Sequence, residues 1–176
     1  MRRRSTLEAT AYHEAGHAVA AHLLHTGLRS VTIVPNKAED TAGETLTGLG
    51  GRFKGQPDVE ITPAIRDWLE RRIRVSMAGD IAQRRYSPRS RRAWHGQADR
   101  QHAVNLASYV TGGGKALELY LGWLPESTVN LLALPHVWTV VEAVADALLE
   151  HRTLGRKRLL SVIGQALDRH LSQRSS

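Results

Sequence analysis

Apolar residues recur with helical spacing over most of the chain, interrupted by one short β-like stretch. Ala9, Ala11, Ala15, Ala18, Val19, Ala20, Ala21 and Leu23 make an alanine-rich run from about Leu7 to Leu24, a composition that favours helix. Ser5, with Glu8 three residues on, predicts a capping box at its start, and Gly27 a terminator beyond its end. Val31-Thr32-Ile33-Val34 is a β-branched run stopped by Pro35 and predicts a strand. Thr45 to Leu49 alternates and is expected to pair with it across the polar 36–43 loop, although Gly48, Gly50 and Gly51 weaken that strand. Thr62-Pro63 combines a capping side chain with proline at the first helical position. Ile65, Leu69, Ile73, Met77 and Ile81 follow at spacing four, predicting a helix to about Arg85. After a basic segment from Ser87 to Gly96, a helix is expected over Ala98–Tyr109, ending at Gly112-Gly113-Gly114, then a short helix over Lys115–Gly122. The remainder reads as helical, divided at Pro135 and again near Leu154-Gly155. The predicted class is α+β, mostly α-helical, with one small sheet.

A chain of 176 residues suffices for one core and not for two full-sized ones, so residues 1–176 are expected to form a single domain. Its half at about 7–110 carries the chemistry described next, and about 115–171 forms a C-terminal helical part. Hydrophobic residues at 41% and charged residues at 23% exclude a disordered class. With no cysteine, any metal must be held by His, Asp or Glu. Met-Arg-Arg-Arg is followed by polar residues that include Glu8, His13 and Glu14, so no signal core is expected. No uncharged apolar stretch reaches about 18 residues, and the expectation is a soluble, cytoplasmic protein with no membrane segment. The net charge is +7, with 20 of the 24 cations Arg. An aromatic fraction of 5% leaves little for base stacking, so solvated surface is favoured over a nucleic-acid partner.

His13-Glu14-Ala15-Gly16-His17 has the H-E-x-x-H form inside the first predicted helix. Residues i and i+4 lie about 40° apart around a helix, so both imidazoles project from one face and can reach a single ion. Glu14 is placed beside them as a general base, next to a Lewis acid, which is what peptide-bond hydrolysis requires. Gly16 costs about 1 kcal/mol relative to alanine in mid-helix and predicts close packing of another element. The bland alternative is two histidines and a glutamate meeting by chance on an amphipathic helix. A third ligand is needed. The metzincin extension fails, because Ala20 and Leu23 stand where Gly and His are required. His22 lies about 140° around the helix from His17. Glu70, Asp80 and Asp99 remain open as carboxylate donors.

Ala11 to Val19 resembles the signature helix of the M41 peptidases, the protease domain of FtsH-type membrane AAA+ proteases. Val31-Thr32-Ile33-Val34-Pro35 is similar to the strand that follows that helix, and Met77-Ala78-Gly79-Asp80-Ile81-Ala82 to the family's later small-residue helix segment. Gly96-Gln97-Ala98-Asp99 resembles the Gly-x-x-Asp segment whose Asp is the third zinc ligand. Val144-Ala145, Leu148-Leu149-Glu150 and Thr153-Leu154 are similar to the closing helices. The resemblance implies a zincin-like fold, with a small sheet after the H-E-x-x-H helix and a C-terminal helical bundle. It implies zinc held by His13, His17 and Asp99, with Glu14 as catalytic base and peptide or unfolded protein as substrate. Gln83 and Arg84 depart from the acidic residues usual in that segment of the family.

FtsH-type proteases carry an ATPase module, but the phosphate loop G-x-x-x-x-G-K-[ST] has no match here: around Gly114-Lys115, Tyr109 and Ala116 occupy the required Gly and hydroxyl positions. A stand-alone protease-like domain is expected, with any ATPase or oligomeric partner acting in trans. Arg84, Arg85, Arg89, Arg91 and Arg92 read as a solvated basic segment rather than a docking rim. Trp68, Trp94, Trp123 and Trp138 read mostly as packing residues, and His136, His151 and His170 have no ligand spacing. Two functions follow: a zinc endopeptidase, or a protease-fold module with a regulatory or binding role toward an acidic partner or nucleic acid.

Overall fold

The computed structural model describes residues 6–35, 43–46, 60–88 and 97–174. Helix α1 (Thr6–Leu23) runs through the centre, every residue from Ala9 to Ala21 being buried. Small side chains allow this, because neighbouring helices can approach α1 from several sides without cavities. The predicted cap at Ser5 lies outside the described residues; Glu8 accepts a hydrogen bond from the Tyr86 hydroxyl at 3.0 Å. The stop differs from expectation. His25, with φ 55°, takes the left-handed position expected of glycine. Its N–H bonds to His22 O and that of Thr26 to Ala21 O, which closes the helix in a Schellman arrangement two residues before Gly27.

Helix α2 (Pro63–Tyr86) starts as the sequence predicts, Thr62 Oγ1 accepting from Ile65 N–H at 3.3 Å. Ile65, Leu69 and Ile73 are buried, whereas Met77 and Ile81 are only half-buried. A spacing of four slips about 40° per step around a helix, so the stripe drifts off the face that meets α1. Val75, Ala78, Gly79 and Ala82 take its place. The close packing foreseen at Gly16 is present: a Cβ there would stand 2.6 Å from Ala78 O and 2.6 Å from Ala82 Cβ. Tyr12 and Tyr86 stack at 3.7 Å between centroids, Trp138 lies 5.8 Å from Tyr12, and the Arg85 guanidinium covers Trp138.

Helices α3 (Gln97–Thr111), α4 (Gly114–Ala133), α5 (Pro135–His151) and α6 (Arg156–Arg174) complete the helical part. Instead of a short helix over Lys115–Gly122, α4 continues through Pro125. Proline there removes one hydrogen bond but leaves Leu124, Thr128 and Leu132 buried on the inner face. The division at Pro135 is as expected. The second division, near Leu154-Gly155, is a strand. Arg152, at φ 63°, turns the chain so that β3 (Thr153–Gly155) pairs with β1 (Ser30–Thr32).

Strand β1 is central in an antiparallel sheet of order β2-β1-β3, Val31 facing Thr45 of β2 (Glu44–Leu46) and Leu154 of β3. It is shorter than predicted: Ile33 is buried and donates its N–H to Arg152 O, but Val34 is 51% exposed. Residues 47–49 of the second predicted strand lie outside the described residues. The described residues are thus mostly helical with a small three-stranded sheet, and α1, α5 and α6 share the larger core. A smaller core joins Ile73, Ala103, Ala107 and Leu124 from α2, α3 and α4.

No single described helix is long and apolar enough to cross a membrane; α4 and α5 reach that composition only together, across an 81° bend. Trp138 packs as expected and donates to Glu142, but Trp123 is 62% exposed and Trp94 lies outside the described residues. Of the basic segment, Arg84 pairs with Asp80 and Arg85 donates to Leu132 O; Arg89, Arg91 and Arg92 lie outside the described residues.

Candidate metal centre

His13, Glu14 and His17 are all buried on α1, an unusual concentration of ionisable groups in an alanine-rich helix. Burial of such groups is costly unless they are partnered, and their partners come from three other elements. Asp99, in the first turn of α3, brings a carboxylate whose charge is favoured at a helix N-terminus. Asp99 Oδ2 lies 3.0 Å from His13 Nε2 and 3.2 Å from His17 Nε2, and the two Nε2 atoms are 3.0 Å apart.

These three separations carry a chemical meaning. Ligand atoms about 2.0–2.1 Å from a tetrahedral ion such as zinc lie roughly 3.3 Å from one another. The Nε2–Nε2–Oδ2 triangle has nearly the size of one face of such a tetrahedron. His13, His17 and Asp99 could therefore hold a metal ion. Two imidazoles and a carboxylate suit several first-row metals, zinc and ferrous iron among them.

Helix α2 shapes the site through two residues one turn apart. Val75 O accepts from His17 Nδ1 at 2.7 Å, so Nδ1 carries a proton and Nε2 is the nitrogen turned to the centre. A Cβ at Gly79 would overlap the His17 imidazole. Gly79→Ala should therefore displace that ring and lose stoichiometric metal, while circular dichroism shows the helix content retained, alanine being the better helix former. Metal analysis of the purified variant checks this. His13 Nδ1 is buried with no hydrogen-bond partner among the described residues.

From β2, Thr45 donates to Glu14 Oε2 at 2.8 Å. Burial pushes the Glu14 carboxyl above its ordinary value, against the opposing pull of His17, His13 and Thr45. For His17, burial disfavours the cation, but the Asp99 carboxylate, with Glu14 and the Val75 carbonyl, outweighs it and raises the imidazole from 6.5 to about 9. Asp99 is moved the other way: burial would raise it, and the two imidazoles hold it well below the usual carboxylate range. In the metal-free chain a proton thus takes the place of a cation between His17 and Asp99.

The stability consequence has a definite sign. A raised imidazole contributes fully below its unfolded value of 6.5 and loses that contribution as pH rises through about 9. Glu14, also raised, acts in the same direction from its ordinary 4.5 upward. The chelated chain should melt at lower temperature at pH 9 than at pH 6, and the metal-loaded chain should lose less. Thermal denaturation with and without chelator at both pH values measures the difference; parallel shifts would contradict it.

The other carboxylates left open by the sequence are engaged elsewhere. Glu70 accepts from the Tyr120 hydroxyl at 2.8 Å, and Asp80 pairs with Arg84 on the exposed side of α2. Val75, Gly79, Gly43 and Thr45 went unrecognised as site residues in the sequence. Gly79 had a faint signal in the small-residue run Ala78-Gly79; a backbone carbonyl such as that of Val75 has none. Comparison of the chain with protein-family models and with curated proteins finds no match.

Proposed function

We propose that this protein is a zinc-dependent endopeptidase of the M41 type that hydrolyses peptide bonds in unfolded or exposed polypeptide. The observation that carries the reading is the His13–His17–Asp99 triangle with a buried carboxylate, Glu14, on the same helix. A site built only to store a metal has no chemical need for that fourth group. The same consideration favours zinc hydrolysis over the redox chemistry of an iron site with the same three donors.

A zinc ion bound here would supply a Lewis acid to the reaction. His17, oriented by Val75 O, would hold it together with His13 and Asp99. Glu14 takes the proton from the attacking water as its O–H bond breaks, and returns it to the nitrogen of the leaving amine. Strand β2 is an edge of the described sheet and passes Glu14 at Thr45; an extended peptide can add to such an edge through main-chain hydrogen bonds. That geometry suits an unfolded segment.

The 176 residues include no phosphate loop, so hydrolysis by this chain should be independent of ATP and confined to substrates that need no unfolding. Zinc-loaded protein should digest denatured casein or disordered peptides, stop on chelation, and spare a tightly folded protein. A fully loaded chain that cleaves no unstructured substrate across a broad peptide library would favour the regulatory or binding role instead.

A further inference from the structure

Two residues leading through β2 are directed at Glu14 in complementary ways. Thr45, paired with Val31 at the centre of the strand, has its Oγ1 2.8 Å from Glu14 Oε2 and 3.2 Å from the Glu14 main-chain carbonyl. A hydroxyl carries one proton, and the shorter contact to the charged oxygen is the stronger of the two. Gly43 stands two residues earlier, on the same face of the extended chain. A Cβ at Gly43 would lie 2.9 Å from Glu14 Cγ, 2.9 Å from Glu14 Oε1 and 2.8 Å from Thr32 O. One residue thus grips the carboxylate and the other leaves the room it occupies. Burial alone does not select an orientation for a side chain with three torsions; a fixed donor on one oxygen and a fitted wall beside the other do.

We propose that Gly43 and Thr45 form a cradle that fixes the Glu14 carboxylate in one orientation, with Oε2 held by the Thr45 hydroxyl and Oε1 left to carry the proton. Both act through Glu14 and are positioning residues. The proposal rests on Glu14 being the base, and it goes further in naming the oxygen that works and the strand that aims it. Because β2 is also an edge strand of the described sheet, an extended substrate added there would meet the element that aims the base.

The test compares the zinc-loaded wild type with Thr45→Val, Thr45→Ser, Gly43→Ala and Glu14→Gln, by crystallography and by kinetics on a disordered peptide. Thr45→Val keeps the shape of the side chain and removes the donor. Expected are one zinc per chain, a KM within about twofold of wild type, and a kcat lowered roughly 10–100-fold, the usual cost of losing an outer-shell partner. The Glu14 carboxylate should be rotated away from its wild-type orientation. Thr45→Ser should restore both orientation and kcat, which a purely structural role of the β-branched side chain would not predict. Gly43→Ala should displace the carboxylate with the Thr45 hydroxyl still present, and carries the comparison if Thr45→Val does not fold. A carboxylate unmoved in both Thr45→Val and Gly43→Ala overturns the cradle. Failure of the base reading looks different: Glu14→Gln would then be as active as wild type, or wild type would be inactive, while the crystal structures still decide the cradle.

Discussion

Replacing Glu14 with Gln should leave one zinc per chain and lower kcat on unfolded substrate by about 10²–10⁴-fold, the range general acid–base catalysis supplies. The substitution is nearly isosteric. Its amide oxygen can still accept from the Thr45 hydroxyl, so the anchor to β2 survives. What disappears is the proton acceptor. The fold should not suffer, because burial already works against the charged form of Glu14, and a neutral amide relieves that cost. Unchanged or slightly raised thermal stability, unchanged zinc and lost hydrolysis form a combination that neither misfolding nor metal loss reproduces. Activity persisting in this variant would remove Glu14 from the mechanism.

Asp99→Ala should reduce zinc affinity by more than the roughly 10–100-fold that loss of an outer-shell partner costs, whereas Glu70→Ala and Asp80→Ala should change it little. Asp99 Oδ2 is the only oxygen of the described triangle and its one formal negative charge. Without it two imidazoles remain, and His17 loses the carboxylate that chiefly raises it. Glu70 and Asp80 have their own partners in Tyr120 and Arg84, on other faces of α2. Competition of each variant against a chromophoric zinc chelator measures the ranking. Retention of wild-type affinity by Asp99→Ala would contradict it.

Local signals were the readable part of this chain. The Ala-rich helix, the Thr62-Pro63 start, the break at Pro135 and the close approach at Gly16 each follow from residues within a few positions, and each is present in the structure. Three-residue strands were harder. Thr153–Gly155 carries no alternation to detect and is a strand only because Arg152 turns it back onto β1. A short helix is expected over Lys115–Gly122, yet α4 runs on through Pro125, with Leu124, Thr128 and Leu132 buried on one face. In the same way His25, at φ 55°, closes the helix where Gly27 is expected to. For the site, spacing brought His13 and His17 to one face but could not rank Asp99, Asp80 and Glu70. That ranking depends on where α3 and α2 lie relative to α1, and only the family resemblance pointed to Asp99. The support from Val75, Gly79, Gly43 and Thr45 is contact information across 29 to 62 positions of sequence, which no local pattern encodes.

Anomalous diffraction at the zinc edge, from crystals of the zinc-loaded chain, tests the central claim most directly. One strong peak is predicted about 2.0–2.2 Å from His13 Nε2, His17 Nε2 and an Asp99 carboxylate oxygen. A peak coordinated by Glu70 or Asp80, or no peak while both imidazoles remain hydrogen-bonded to Asp99, would contradict the account.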